Sequence, residues 1–134
     1  MVTVMCPQIH SDLHKRKKTG GRKRIYRKKR KYEIGGDLVK TMLGERRVKV
    51  ERARGGNVKL KLLSDQYANV LNPKTGICKK LKVLKVERNP ADKNYDREGV
   101  ITKGTIIVVE SGKAVVTSRP GQEGVINAVL IPSS

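Results

Sequence analysis

The sequence predicts a mainly β protein: a small, partly open β-barrel of about six strands behind a long basic, non-globular N-terminal extension. Three observations predict it. β-branched residues are frequent after Val48, where apolar and polar positions alternate with the period of half-buried strands. Turn signals rich in Gly, Pro and Asn recur at intervals of roughly 8–12 residues, the rhythm of a sandwich or barrel. Lys15–Lys31 reads KRKKTGGRKRIYRKKRK, with twelve Lys or Arg in seventeen positions and no acid.

The length of 134 residues fits one domain plus an arm. The boundaries expected are 1–36 for the arm and 37–134 for the barrel domain. The chain has no Trp and no Phe, so the core must be built from Val, Ile and Leu. Barrel closure also removes exposed strand edges from so small a domain.

The elements follow in order. Residues 37–45 (DLVKTMLGE) read as either a short helix or an irregular link. From Arg46 the period becomes two: Val48 and Val50 point one way, and Arg47, Lys49 and Glu51 the other. Gly55-Gly56-Asn57 signals a tight turn, after which Val58, Leu60 and Leu62 alternate with Lys59 and Lys61. This is a hairpin with one apolar and one basic face. Tyr67–Leu71 reads as a short strand and Asn72–Gly76 as a turn. Ile77–Arg88 is a long strand whose phase slips between Val83 and Leu84, which calls for a bulge or two-sided burial. Asn89–Asp92 opens a loop or short helix reaching Glu98. Strands follow at about Thr105–Glu110, Lys113–Ser118 and Val125–Ile131, joined by a tight turn at Ser111-Gly112 and a glycine-rich connection over 119–124.

The arm is expected to be disordered when free. Its only apolar side chains between Lys15 and Lys31 are Ile25 and the ring of Tyr26, too little to offset the entropy of ordering the backbone. Formal net charge is +19, distributed unevenly: residues 1–36 carry +10 and residues 99–134 only +1. So much self-repulsion calls for a dense polyanion, and nucleic acid is the densest common one. The cations available to phosphates are Lys15, Arg16, Lys17 and Lys18, then Arg22, Lys23 and Arg24, then Arg27, Lys28, Lys29, Arg30 and Lys31. Thr19-Gly20-Gly21 interrupts the run, as a hinge whose backbone N–H groups approach phosphates closely. Tyr26 and Tyr32 are the arm's two rings able to stack on a base. With four aromatics in the chain and no cluster of them on one strand, recognition is expected to run through phosphates, 2′-hydroxyls and helix shape. From the basic hairpin face, Arg46, Arg47, Arg52, Arg54, Lys59 and Lys61 extend the candidate surface.

Other chemistry has little to work with. Cys6, His10 and His14 are spaced by four, but Pro7 interrupts the run and no fourth ligand is near in sequence, so no metal site is expected. Cys6 and Cys78 read as free thiols of a reducing compartment. Both histidines precede residue 15, leaving the domain without an imidazole base, and no nucleophile has a base at a recognisable spacing. Gly112-Lys113-Ala114 lacks the Ser or Thr and the earlier Gly of a phosphate loop. No apolar run approaches the ~18 residues of a membrane span, and the first residues lack the layout of a secretion signal. A cytoplasmic protein without cofactor or small-molecule substrate is expected.

Specific stretches carry a resemblance. HKRKKTGG at 14–21, KRKYEIGG at 29–36, RGGN at 54–57, ANVLNPKTG at 68–76, NPAD at 89–92, ITKG at 101–104 and TSRPGQEGVINAVL at 117–130 resemble, in order, the S-eight-e family of small-subunit ribosomal proteins. The compact middle lacks the long insertion of eukaryotic members and is similar to the archaeal type. The resemblance implies a β-barrel body and an rRNA-binding N-terminal extension, which maps onto Lys15–Lys31 with Thr19, Gly20 and Gly21 at its centre. It implies small-subunit rRNA and neighbouring ribosomal proteins as partners, and a place in the ribosome. Arg119 either contacts RNA or only shapes a barrel turn. The competing readings are a free basic nucleic-acid-binding module and an RNA-processing enzyme. The enzyme reading requires a pocket with convergent polar groups in the domain.

Overall fold

The computed structural model describes residues 8–12, 15–36 and 38–132. Cys6 and His14, two of the three residues weighed as metal ligands, lie outside the described residues. The chain divides into two compact units, Met1–Leu38 and Val39–Ser134. The second is mainly β, as expected.

It opens with β1 (Met42–Leu43), β2 (Arg47–Arg52) and β3 (Val58–Asp65), which form a sheet in the order β1-β3-β2. The β2–β3 pair is the predicted hairpin, with Val48 opposite Leu62 and Val50 opposite Leu60. Its turn is a 3-10 turn at Arg54–Gly56, closed by Ala53 N–H donating to Asn57 O at 2.6 Å. β1 pairs in parallel with the end of β3, a short strand where a short helix or an irregular link was expected. Two residues are too few to show a period. They are held instead by Thr41, whose buried Oγ1 donates to Leu62 O at 2.8 Å and whose carbonyl accepts from Ile101 N–H.

Five further strands make the barrel: β4 (Tyr67–Leu71), β5 (Cys78–Arg88), β6 (Ile106–Val109), β7 (Gly112–Val116) and β8 (Asn127–Leu130). Successive strands pair antiparallel from β4 to β8. The barrel is closed rather than partly open, because β4 and β8 pair in parallel, Asn69 with Asn127 through Leu71 with Val129. Inward positions alternate along each strand: Ala68 and Val70, Ile107 and Val109, Ala114 and Val116, Ile126 and Ala128 are all buried. Alanine sits opposite a β-branched residue at Ile107–Ala114 and at Val116–Ala128, which fits the narrow bore of five strands. The phase slip in β5 is a bulge between Val83 and Lys85. Val83 is 3% exposed and Leu84 54%, and after the bulge Val86 again faces the core.

Two short helices fill the connections: α1 (Lys93–Glu98) and α2 (Pro120–Glu123). Asp92 caps α1 by accepting from Asn94 N–H at 2.8 Å. α2 stands where a glycine-rich connection was expected. Pro120 occupies its first turn and Gly124 ends it at φ 74°. A Cβ on Gly124 would lie 2.9 Å from the Leu60 Cβ, so both backbone and packing require glycine there.

The motifs at 89–92 and 101–104 meet in one buried network. Asn89 Nδ2 donates to Val100 O at 2.7 Å, and Asn89 Oδ1 accepts from Ala91 N–H and Thr102 Oγ1. Thr105 Oγ1 accepts from Thr102 N–H at 2.9 Å. Truncating Asn89 leaves the buried Val100 carbonyl without its donor, so Asn89→Ala is expected to lower unfolding stability by about 2 kcal/mol. Urea denaturation measures this, and a change under about 0.5 kcal/mol shows that the network does not hold the loop.

Candidate nucleic-acid interface

In the first unit the chain loops back on itself. Gly35 N–H donates to Gln8 O and His10 N–H to Glu33 O, each at 2.7 Å, around an antiparallel bridge between Ile9 and Ile34. The approach is so close that a Cβ on Gly35 would meet His10 Nε2 at 2.8 Å and Gln8 O at 2.9 Å. Thr19-Gly20-Gly21 forms a tight turn. Lys17 N–H donates to Gly21 O at 2.8 Å, Gly20 N–H to Lys17 O at 3.0 Å, and Arg16 bridges to Arg22.

Glu33 holds the base of this loop. It ends a 3-10 turn, Lys31–Glu33, and is 6% exposed. Both its oxygens accept from the Arg27 guanidinium, and Oε2 also accepts from Arg30 N–H at 3.0 Å. Arg27 first, then the Arg30 amide, hold its carboxyl down to about 2. Asp12 is likewise lowered by Lys15, 2.6 Å away. Among the described residues of this unit these are the two acids, and each is engaged by one cation. Ten of the twelve cations of Lys15–Lys31 therefore have no carboxylate partner among the described residues: Arg16, Lys17, Lys18, Arg22, Lys23, Arg24, Lys28, Lys29, Arg30 and Lys31. Tyr26 and Tyr32 are each 80% exposed, with the Arg27 guanidinium 5.6 Å from the Tyr26 ring centroid. A cleft of about 570 Å³ is lined by Lys17, Lys23, Arg24, Arg27, Tyr26 and Asp12.

The hairpin candidates are more self-neutralised. Glu51 engages both Lys49 at 3.2 Å and Lys61 at 2.5 Å, and stands opposite Lys59. Glu51 is accordingly lowered, chiefly by Lys61. Arg46 lies 3.5 Å from the buried Asp65. Arg47 is exposed, opposite Ser64, at a register shift that separates it from Val48. Arg52 departs from the expected basic face: opposite Val58, it shares the side of Val48 and Val50. Arg54 is exposed in the turn. The Arg119 backbone is the N-cap of α2, and its N–H bonds Glu123 Oε1 at 3.2 Å. Around it, Ser118 Oγ bridges Val125 O and Asn127 N–H, so the motif at 117–130 shapes a turn. The lysines of β5, Lys79, Lys80, Lys82 and Lys85, lie outside the basic surface expected from the sequence, because in this strand the apolar phase is the stronger signal.

At the barrel end holding the β4–β5 and β6–β7 turns, a cleft of about 300 Å³ has Val70, Leu81, Leu130 and Ile77 on its apolar side and Asn72, Thr75 and Ser111 on its polar side, with Lys79 as its one ionisable group. No three His, Cys, Asp or Glu among the described residues are grouped to hold a metal. No helix among them is long and apolar enough to cross a membrane.

Fold and charge together define a class: a small β-barrel protein with a cationic extension. The family model described as Ribosomal protein S8e matches residues 10–131, and the chain belongs to that family, a class of ribosomal structural proteins and not of enzymes. Relatives named "Small ribosomal subunit protein eS8" agree. That of Methanococcus aeolicus is 51% identical over 118 residues, covering 87% of this chain and 92% of the relative. Those of Ignicoccus hospitalis and Hyperthermus butylicus are 54% and 53% identical over 118 residues, covering 87% of this chain and 91% and 87% of the relatives.

The Glu33 loop has a pH signature. A carboxyl that titrates at about 2 when folded and near 4.5 when unfolded stabilises the loop above pH 4.5 and loses that contribution as pH falls toward 2. Carbon-detected NMR titration of Glu33 is expected to show the low midpoint. A midpoint near 4.5 shows the Arg27 pair to be open.

Proposed function

We propose that the protein is a structural constituent of the small ribosomal subunit, working in the cytoplasm within the ribosome. Its basic arm threads between rRNA helices and neutralises their phosphates, while the barrel anchors the arm beside rRNA and neighbouring proteins. The observation that carries this is the exhaustion of the arm's acids: Asp12 and Glu33 are both engaged, and ten arm cations have no carboxylate partner among the described residues. The names of the relatives support the assignment to the small subunit. In the free chain the arm is ordered only around Glu33, and the stretch from Lys15 to Arg24 orders against phosphate, since a turn with so little apolar burial is marginal in water. If about six of these charges meet phosphates, counterion release makes log affinity fall against log salt with a slope on the order of −4 to −5. Tyr26 and Tyr32 lie open for stacking on unpaired bases.

Deleting residues 15–31 tests this reading. The truncated chain is expected to keep the cooperative unfolding transition of the barrel and to disappear from small-subunit fractions of a sucrose gradient. Normal incorporation of the truncated chain refutes the proposed work of the arm. Full-length protein that leaves the small subunit for bulk nucleic acid at moderate salt favours the free-module reading instead.

A further inference from the structure

We infer that the outer face of β4 and β5 is a second RNA-binding surface, in which Lys80, Lys82 and Lys85 grip the phosphate backbone beside Tyr67. The inference rests on the ribosomal reading and adds to it a contact made by the barrel itself.

Strand phase assembles the face. Ala68, Val70 and Val83 point into the core, so Tyr67, Asn69, Lys80 and Lys82 point out, with Tyr67 opposite Lys82 and Asn69 opposite Lys80. The bulge after Val83 then turns two consecutive residues outward, adding the exposed Lys85 to the same strand. Lysine is disfavoured in strands, and like charges two residues apart on one face repel.

Lys40, Lys49, Lys61 and Lys113 each have a carboxylate within ion-pair distance. Among the described residues Lys80, Lys82 and Lys85 have no acid partner, as is also true of Lys59, Lys74, Lys79, Lys93 and Lys103; what sets them apart is that one strand presents all three outward beside Tyr67. Lys80 instead lies over the Tyr67 ring, 4.9 Å from its centroid. A cation–π contact at so exposed a site is weak, so a phosphate can draw the ammonium away and free the ring face for a base or ribose. Beside it, Asn69 Nδ2 donates to Asn127 Oδ1 at 3.1 Å. That leaves Asn69 Oδ1 and Asn127 Nδ2 without partners among the described residues, an acceptor and a donor for a 2′-hydroxyl. Lys80 and Lys82 are about 6.6 Å apart along the strand, from its rise per residue, a spacing that suits neighbouring phosphates.

The test uses the full chain and an archaeal small-subunit rRNA transcript, with affinity measured across a KCl series. A Lys80→Gln/Lys82→Gln/Lys85→Gln variant is compared with a charge-matched control, Lys93→Gln/Arg97→Gln/Lys103→Gln. The first is expected to flatten the slope of log affinity against log salt by about 2 units, and the control to keep the wild-type slope. Tyr67→Leu is expected to weaken binding at least about fivefold with little change of slope. Thermal unfolding of each variant reports its fold independently. Equal slopes for the two triple variants overturn the inference, and unchanged affinity in Tyr67→Leu removes the ring from it. Either result leaves the arm intact as the rRNA ligand. Failure of the wild-type chain to sediment with small subunits overturns the ribosomal reading itself.

Discussion

The parallel pairing of β4 with β8 is the constraint on which the body depends. The pairs from Asn69–Asn127 to Leu71–Val129 turn an open sheet into a closed barrel. Closure satisfies the backbone groups that the two edges would otherwise leave open. It also gives the inward side chains a complete wall, which a core of Val, Ile, Leu and Ala needs when no Phe or Trp is present to fill space.

In the barrel unit, Glu51, Asp65, Glu87 and Glu98 each meet a cation at modest energetic value, while most of its lysines and arginines have no acid partner among the described residues. In the first unit the acids are too few. Glu33 is spent on loop geometry, taking Arg27 and the Arg30 amide together, and Asp12 on Lys15. An extension whose acids are committed to shape leaves its remaining cations for an external counter-charge.

Several elements were legible because their signals are local. The β2–β3 hairpin follows from strict alternation around Gly55-Gly56, and the β5 bulge from the break in phase between Val83 and Leu84. α2 and β1 were not legible. Four residues and two residues carry no measurable period, and each is held by distant partners: Leu60 packs against Gly124, and Leu62 O receives Thr41 Oγ1. The candidate surface divides in the same way. The arm's cations are contiguous in sequence and were read directly. The side of Arg52 follows from the same alternation as Val48 and Val50, whereas the neutralisation of Lys61 by Glu51 depends on cross-strand register.

The amino-acid sequence by itself determined the β character, the cationic extension and the family to which the chain belongs, because composition, period and motif are properties of neighbouring residues. Only the tertiary structure decided that the barrel closes, that the Asn89 and Thr102 motifs serve one buried network, and which lysines stand without an acid. Those outcomes turn on pairings between residues far apart along the chain, and a charge is compensated by what lies within a few ångströms, whatever its distance in sequence.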